Sequence, residues 1–130
     1  MAMTVKEKQL RQLVVDTAEA WVGTKQGDAN HHKIIDTYNT INPLPSGVRM
    51  NYSLAWCAAT VGCVSMQVGL IDYIFPECSC NRMIKLYKAK NQWVEDDAYV
   101  PDMGDILFYA WKDNGVGDCE LDADHVGIVK

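Results

Sequence analysis

The stretch that most limits the fold runs from Asn51 to Gly69, NYSLAWCAATVGCVSMQVG. Ala55, Trp56, Ala58, Ala59, Val61, Val64, Met66 and Val68 leave only Thr60, Ser65 and Gln67 as polar breaks. A helix that is apolar on nearly every side needs neighbours on nearly every side. The rest of the chain must therefore wrap this segment. Ser53 is the expected N-cap, and Gly69 suits the left-handed position just past the end. That places Cys57 in or near the first turn. Unpaired N–H groups and the positive end of the helix dipole favour a thiolate there. A small Cys on a buried helix also serves as core filler. Taken alone, the stretch leaves both roles open.

At 130 residues the chain is read as a single domain, 1–130, large enough for a hydrophobic core. The net charge of −5 and the lack of any Lys/Arg-rich run argue against nucleic acid as a partner. Nothing approaches transmembrane length, so no membrane insertion is expected. The N-terminus lacks the basic, apolar, small-residue order of a signal peptide. Synthesis in a cytoplasm, without an export signal in this chain, is the expectation. Five cysteines (Cys57, Cys63, Cys78, Cys80 and Cys119) leave at least one thiol free if the others pair. Cys78-Ser79-Cys80 has the wrong spacing for a zinc knuckle, so no metal site is expected from it.

Taken in order, Thr4-Val5-Lys6-Glu7 is a capping-box pattern. Leu10, Leu13, Val14, Ala18 and Trp21 follow at helical spacing, predicting an amphipathic helix over about Val5–Val22. A second helix is expected from His31 to Ile41, with Ile34, Ile35, Tyr38 and Ile41 on one face and His31 and His32 solvated at its start. Asn42–Gly47 breaks it and leads towards the central helix. Beyond Pro76, Ser79 can cap a helix that turns Met83, Ile84 and Tyr87 inward, closed by Asn91. The pattern then changes to strands: a short one at Trp93-Val94, a largely buried one over Asp105–Trp111, and His125–Val129, antiparallel to it across an acidic loop. Helices first and strands last mean α+β, with N-terminal helices packed on a small antiparallel sheet. A strand that begins at His125 and runs into Lys130 would be a short edge, and two strands make a poor sheet. The expectation is that the C-terminal strands of the domain are truncated.

A Cys early on a helix and a His at the start of a later strand can make a thiol hydrolase: the imidazole takes the thiol proton and the thiolate attacks a carbonyl. Three motifs make this specific. Trp56-Cys57-Ala58-Ala59, then Pro101-Asp102-Met103-Gly104-Asp105-Ile106, then Asp124-His125-Val126-Gly127-Ile128-Val129 resemble the CHAP family, the cysteine, histidine-dependent amidohydrolase/peptidases of the papain-like NlpC/P60 group. Trp21-Val22-Gly23-Thr24-Lys25 and His31–Asn39 also look like the front of such a domain. The resemblance spans roughly Val14 to Val129.

The resemblance implies a papain-like fold, Cys57 as nucleophile and His125 as general base. It implies peptidoglycan as partner and substrate, cut at the N-acetylmuramoyl–L-alanine amide or within the peptides by a wall hydrolase or phage lysin. The alternative is a non-catalytic wall-binding or structural module. Family members carry a polar third residue on the strand after the His strand. Here that residue is unknown and is expected beyond Lys130. Trp56 is a candidate wall of the substrate groove and Tyr52 a candidate oxyanion donor. Asp105 is read as tying its turn. No cofactor is required. Calcium is the one cation the sequence leaves open, through Asp113, Asp118, Glu120, Asp122 and Asp124, but their spacing is that of a solvated acidic loop and not of an EF-hand.

Overall fold

The computed structural model describes residues 3–111 and 123–130. Among them are four α-helices and a two-stranded antiparallel sheet: α1 (Val5–Glu19), α2 (Ala29–Tyr38), α3 (Cys57–Val68), α4 (Cys80–Ala89), β1 (Ile106–Tyr109) and β2 (His125–Ile128). The class is α+β.

Local chemistry sets most of the boundaries. Thr4 Oγ1 accepts the Glu7 N–H at 3.1 Å and starts α1. Asp28 caps α2 through His31 N–H at 2.7 Å, and Ser79 caps α4 through Arg82 N–H at 3.3 Å. Gly69 ends α3 in the left-handed region, φ 72°. One expectation fails at the front of α3. Asn51 Oδ1 accepts the N–H groups of Ser53 and Leu54, which spends that segment on a turn. The helix therefore starts only at Cys57, with Trp56 at the N-cap and no side-chain cap.

α3 is the axis of the molecule. It packs against α1, α2, α4 and β2. On one side Ala58, Val61 and Val64 join Val14 of α1, Met83 and Tyr87 of α4 and Val126 of β2 in the main core. On the other side Ala59 joins Ile35, Tyr38 and Met50 in a smaller core under α2. Burial of each large aliphatic or aromatic side chain in these clusters is worth about 1.5–3 kcal/mol. The buried Ser65 hydroxyl is satisfied by donating to the Ile74 carbonyl.

Several expectations are corrected. α1 stops at Glu19, three residues short, because Trp21–Thr24 folds into a turn with Gly23 at φ 91° and Thr24 Oγ1 on the Trp21 carbonyl. Trp21 then donates from Nε1 to Gln67 Oε1 at 3.0 Å, tying α1 to the end of α3. α2 spans Ala29–Tyr38 and not His31–Ile41. His31 is not solvated but 0% exposed: its Nδ1 accepts the Gly27 N–H at 2.9 Å and its ring packs on Trp56, 4.7 Å between centroids. Trp93-Val94 is no strand; Trp93 packs on Phe108 beneath Lys88. β1 is shorter than Asp105–Trp111 and only partly buried, since Ile106 and Phe108 face the core while Tyr109 is exposed. The predicted antiparallel pairing is present, with Ile106 opposite Ile128 and Tyr109 opposite His125.

Asp105 locks the start of β1 to α1. Its Oδ1 accepts from Arg11 Nη1 at 2.7 Å, and its Oδ2 accepts from Tyr99 OH at 2.7 Å and Asp102 N–H at 2.8 Å. Partial burial pushes its pKa up, but these donors more than offset that and hold it below the usual carboxylate range.

The contact between α2 and α3 gives a direct test. A Cβ at Gly62 would lie 2.9 Å from Tyr38 Cε2 and 3.4 Å from Pro76 Cα. Gly62→Ala is expected to cost about 1–3 kcal/mol by overpacking, read from the midpoint of urea unfolding. An unchanged midpoint would show that α2 does not lie this close.

Candidate active site

The N-terminus of α3, the start of β2 and the α1 face enclose a cleft of about 930 Å³. Cys57 and His125 both line it, so the fold brings together two residues 68 positions apart in the sequence (125 − 57). Cys57 is the first residue of α3, and His125 is the first of β2. Neither position is accidental. The burial of α3 fixes the height of its first turn, and the β1–β2 register fixes His125 opposite Tyr109.

The environment of Cys57 favours its charged form. Its Sγ lies 3.6 Å from Cys80 Sγ. The Cys80 hydrogen bond is the largest influence; partial burial opposes it, and the Val126 backbone N–H and His125 add to it. Together they bring the Cys57 thiol down to about 5. Cys80 moves the other way. Its bond to Cys57, its burial and the neighbouring negative charge raise its pKa. Two adjacent thiols cannot both ionise cheaply, and the one facing the cleft is the one that does. The free N–H groups of the first turn of α3 point to the same end of the helix, available to a developing oxyanion.

His125 is held by rings. Trp111 stacks on it at 5.6 Å and 26°, and Tyr109 lies 5.7 Å away. The backbone next to it is pinned by Asp124, whose N–H donates to the Tyr109 carbonyl and whose Oδ2 accepts the Trp111 N–H at 2.9 Å. Trp56 does two jobs, walling the cleft and packing on His31. Tyr52 does not join the site. Its hydroxyl donates to Asp36 at 2.7 Å and its ring stacks on His32 at 3.9 Å, outside the cleft lining. Gln26 lines the cleft instead, with its amide on the Tyr52 carbonyl at 3.2 Å.

Cys80, 3.6 Å from the Cys57 sulfur, is the neighbour that motif reading passes over. A signal for it exists: Ser79 as N-cap makes Cys80 the first residue of α4, as Cys57 is of α3. Among the described residues no three His, Cys, Asp or Glu side chains converge on a possible metal position. Of the five acidic residues weighed for calcium, 113, 118, 120 and 122 lie outside the described residues. A second cavity, of about 780 Å³, borders Arg11, Asp105 and Trp93, but no thiol or imidazole lines it. Among the described residues no helix is long and apolar enough to cross a membrane.

Comparison of the chain with protein-family models, with curated proteins and with solved structures found no match in any of the three.

The folded chain holds the Cys57 proton more weakly than an unfolded one would. The thiolate therefore adds stability in full above the ordinary thiol value of 9.0, and that contribution is lost as pH falls from there through about 5. Reactivity follows the same charge. At pH 7 iodoacetamide is expected to alkylate Cys57 at least about tenfold faster than Cys63, whose burial pushes it up to about 11. Peptide mapping of a labelling time course checks this, and equal slow labelling of the two would contradict it.

Proposed function

We propose that this chain is a cysteine amidohydrolase/peptidase domain of the papain-like CHAP type, acting on the amide bonds of peptidoglycan. One observation carries the reading: a thiol at the first residue of a buried helix and an imidazole at the first residue of a strand share one cleft. The substrate class comes from the resemblance in Trp56-Cys57-Ala58-Ala59, Pro101–Ile106 and Asp124–Val129.

In this reading the Cys57 thiolate attacks the carbonyl carbon of a bound amide. The oxyanion forms against the N–H groups at the start of α3. His125, carrying a proton, delivers it to the leaving amine as the C–N bond breaks. Water then attacks the thioester as the neutral imidazole takes its proton; the C–S bond breaks, the acid leaves, and the thiolate and protonated imidazole are restored. Trp111 and Tyr109 pack against the imidazole and restrict its rotation. Trp56 walls the cleft beside the acyl position.

Cys57→Ala and His125→Ala are each expected to lower the release of new amine ends from purified peptidoglycan by about 10³-fold or more, with circular dichroism unchanged. Retention of amine release in folded Cys57→Ala would end the proposal. Binding of the wall by the unaltered chain without any amine release would favour a non-catalytic module.

A further inference from the structure

α3 and α4 begin side by side, and the first residue of each is a cysteine. Their sulfurs are 3.6 Å apart. Cys57 is partly exposed on the cleft, whereas Cys80 is 8% exposed beneath it. The other two described cysteines are engaged elsewhere: Cys63 is fully buried in α3, and Cys78 Sγ accepts from Arg82 Nη2 at 3.4 Å.

We propose that Cys57 and Cys80 form a reversible disulfide, with Cys57 the attacking and Cys80 the resolving thiol, and with hydrogen peroxide as the oxidant class. Exposure sets the order, because an oxidant in the cleft meets Cys57 first. The Cys57 thiolate attacks one peroxide oxygen. An S–O bond forms, the O–O bond breaks, and hydroxide leaves, so that Cys57 becomes a neutral sulfenic acid. Loss of its negative charge removes one of the influences that hold the proton on Cys80. Cys80 gives that proton to solvent and its sulfur attacks Cys57 sulfur. The S–S bond forms, the S–O bond breaks and the oxygen departs as water. Overall two thiols lose two electrons and two protons, and one peroxide becomes two waters. Closing 3.6 Å to a bond of about 2.05 Å requires the two side chains to swing together from fixed helix ends.

The bridge stands on geometry alone. Its consequence, that oxidation switches hydrolysis off and reductant switches it on, rests on the reading of Cys57 as a nucleophile. Oxidation to the disulfide also shields Cys57 from irreversible sulfinic acid.

The test uses the full reduced chain, treated with equimolar hydrogen peroxide, blocked with iodoacetamide and digested without reductant. The expected product is a Cys57–Cys80 linked peptide lighter by two hydrogen atoms, abolished by phosphine treatment. Alkylatable Cys57 and Cys80 should disappear in a one-to-one ratio. In Cys80→Ser, treated with excess peroxide, the linked peptide should be absent and Cys57 should accumulate two added oxygens. Cys57 sulfinic acid in the unaltered chain with Cys80 still alkylatable, or a bridge from Cys57 to Cys119 or to a second chain, would overturn the proposal. These readouts are masses, so a chain that fails to cleave peptidoglycan leaves the outcome readable.

Discussion

Everything in this molecule depends on the burial of α3. The helix is apolar on nearly every side, so α1, α2, α4 and β2 close around it. Small residues let them do so: Ala59 and Gly62 admit α2, and Ala58 and Val61 admit α1 and β2. A helix gripped this way cannot slide or rotate without opening two cores. Its first residue is therefore held firmly, and that residue is Cys57.

The same packing decides the charge on the sulfur. Two helices start at adjacent points, and β2 begins across from them. Cys80 Sγ lies 3.6 Å from the Cys57 sulfur, and the nearby Val126 backbone N–H and His125 imidazole add to the pull on its proton. Burial opposes ionisation, but these donors outweigh it. Cys80, deeper and facing an ionised neighbour, keeps its proton. The cleft thus holds two adjacent thiols that differ in depth, Cys57 partly exposed and Cys80 buried beneath it.

Much of this was legible in local chemistry. Thr4, Ser79 and Gly69 mark helix ends through side-chain and backbone bonds that act over three or four residues. Period and β-rich composition located α4, β1 and β2, and the motif order singled out Cys57 and His125. What sequence hid depends on tertiary partners. Ser53 is a good cap in isolation, yet Asn51 takes its N–H first. His31 looks solvated until Trp56 and the Gly27 N–H claim it. Tyr52 is near Cys57 in sequence but is pulled away by Asp36 and His32. Cys80 stands in no motif; Ser79 places it at a helix start, but its closeness to Cys57 arises only where two helices converge.

The fold lowers the pKa of one cleft thiol, Cys57, so that it becomes a thiolate. Ultraviolet thiolate absorbance followed against pH, in the full reduced chain and in Cys57→Ser, tests it most directly. A step centred near pH 5, present in the unaltered chain and absent from Cys57→Ser, is expected. Thiol ionisation confined to the ordinary range above about pH 8, identical in the two proteins, would contradict it.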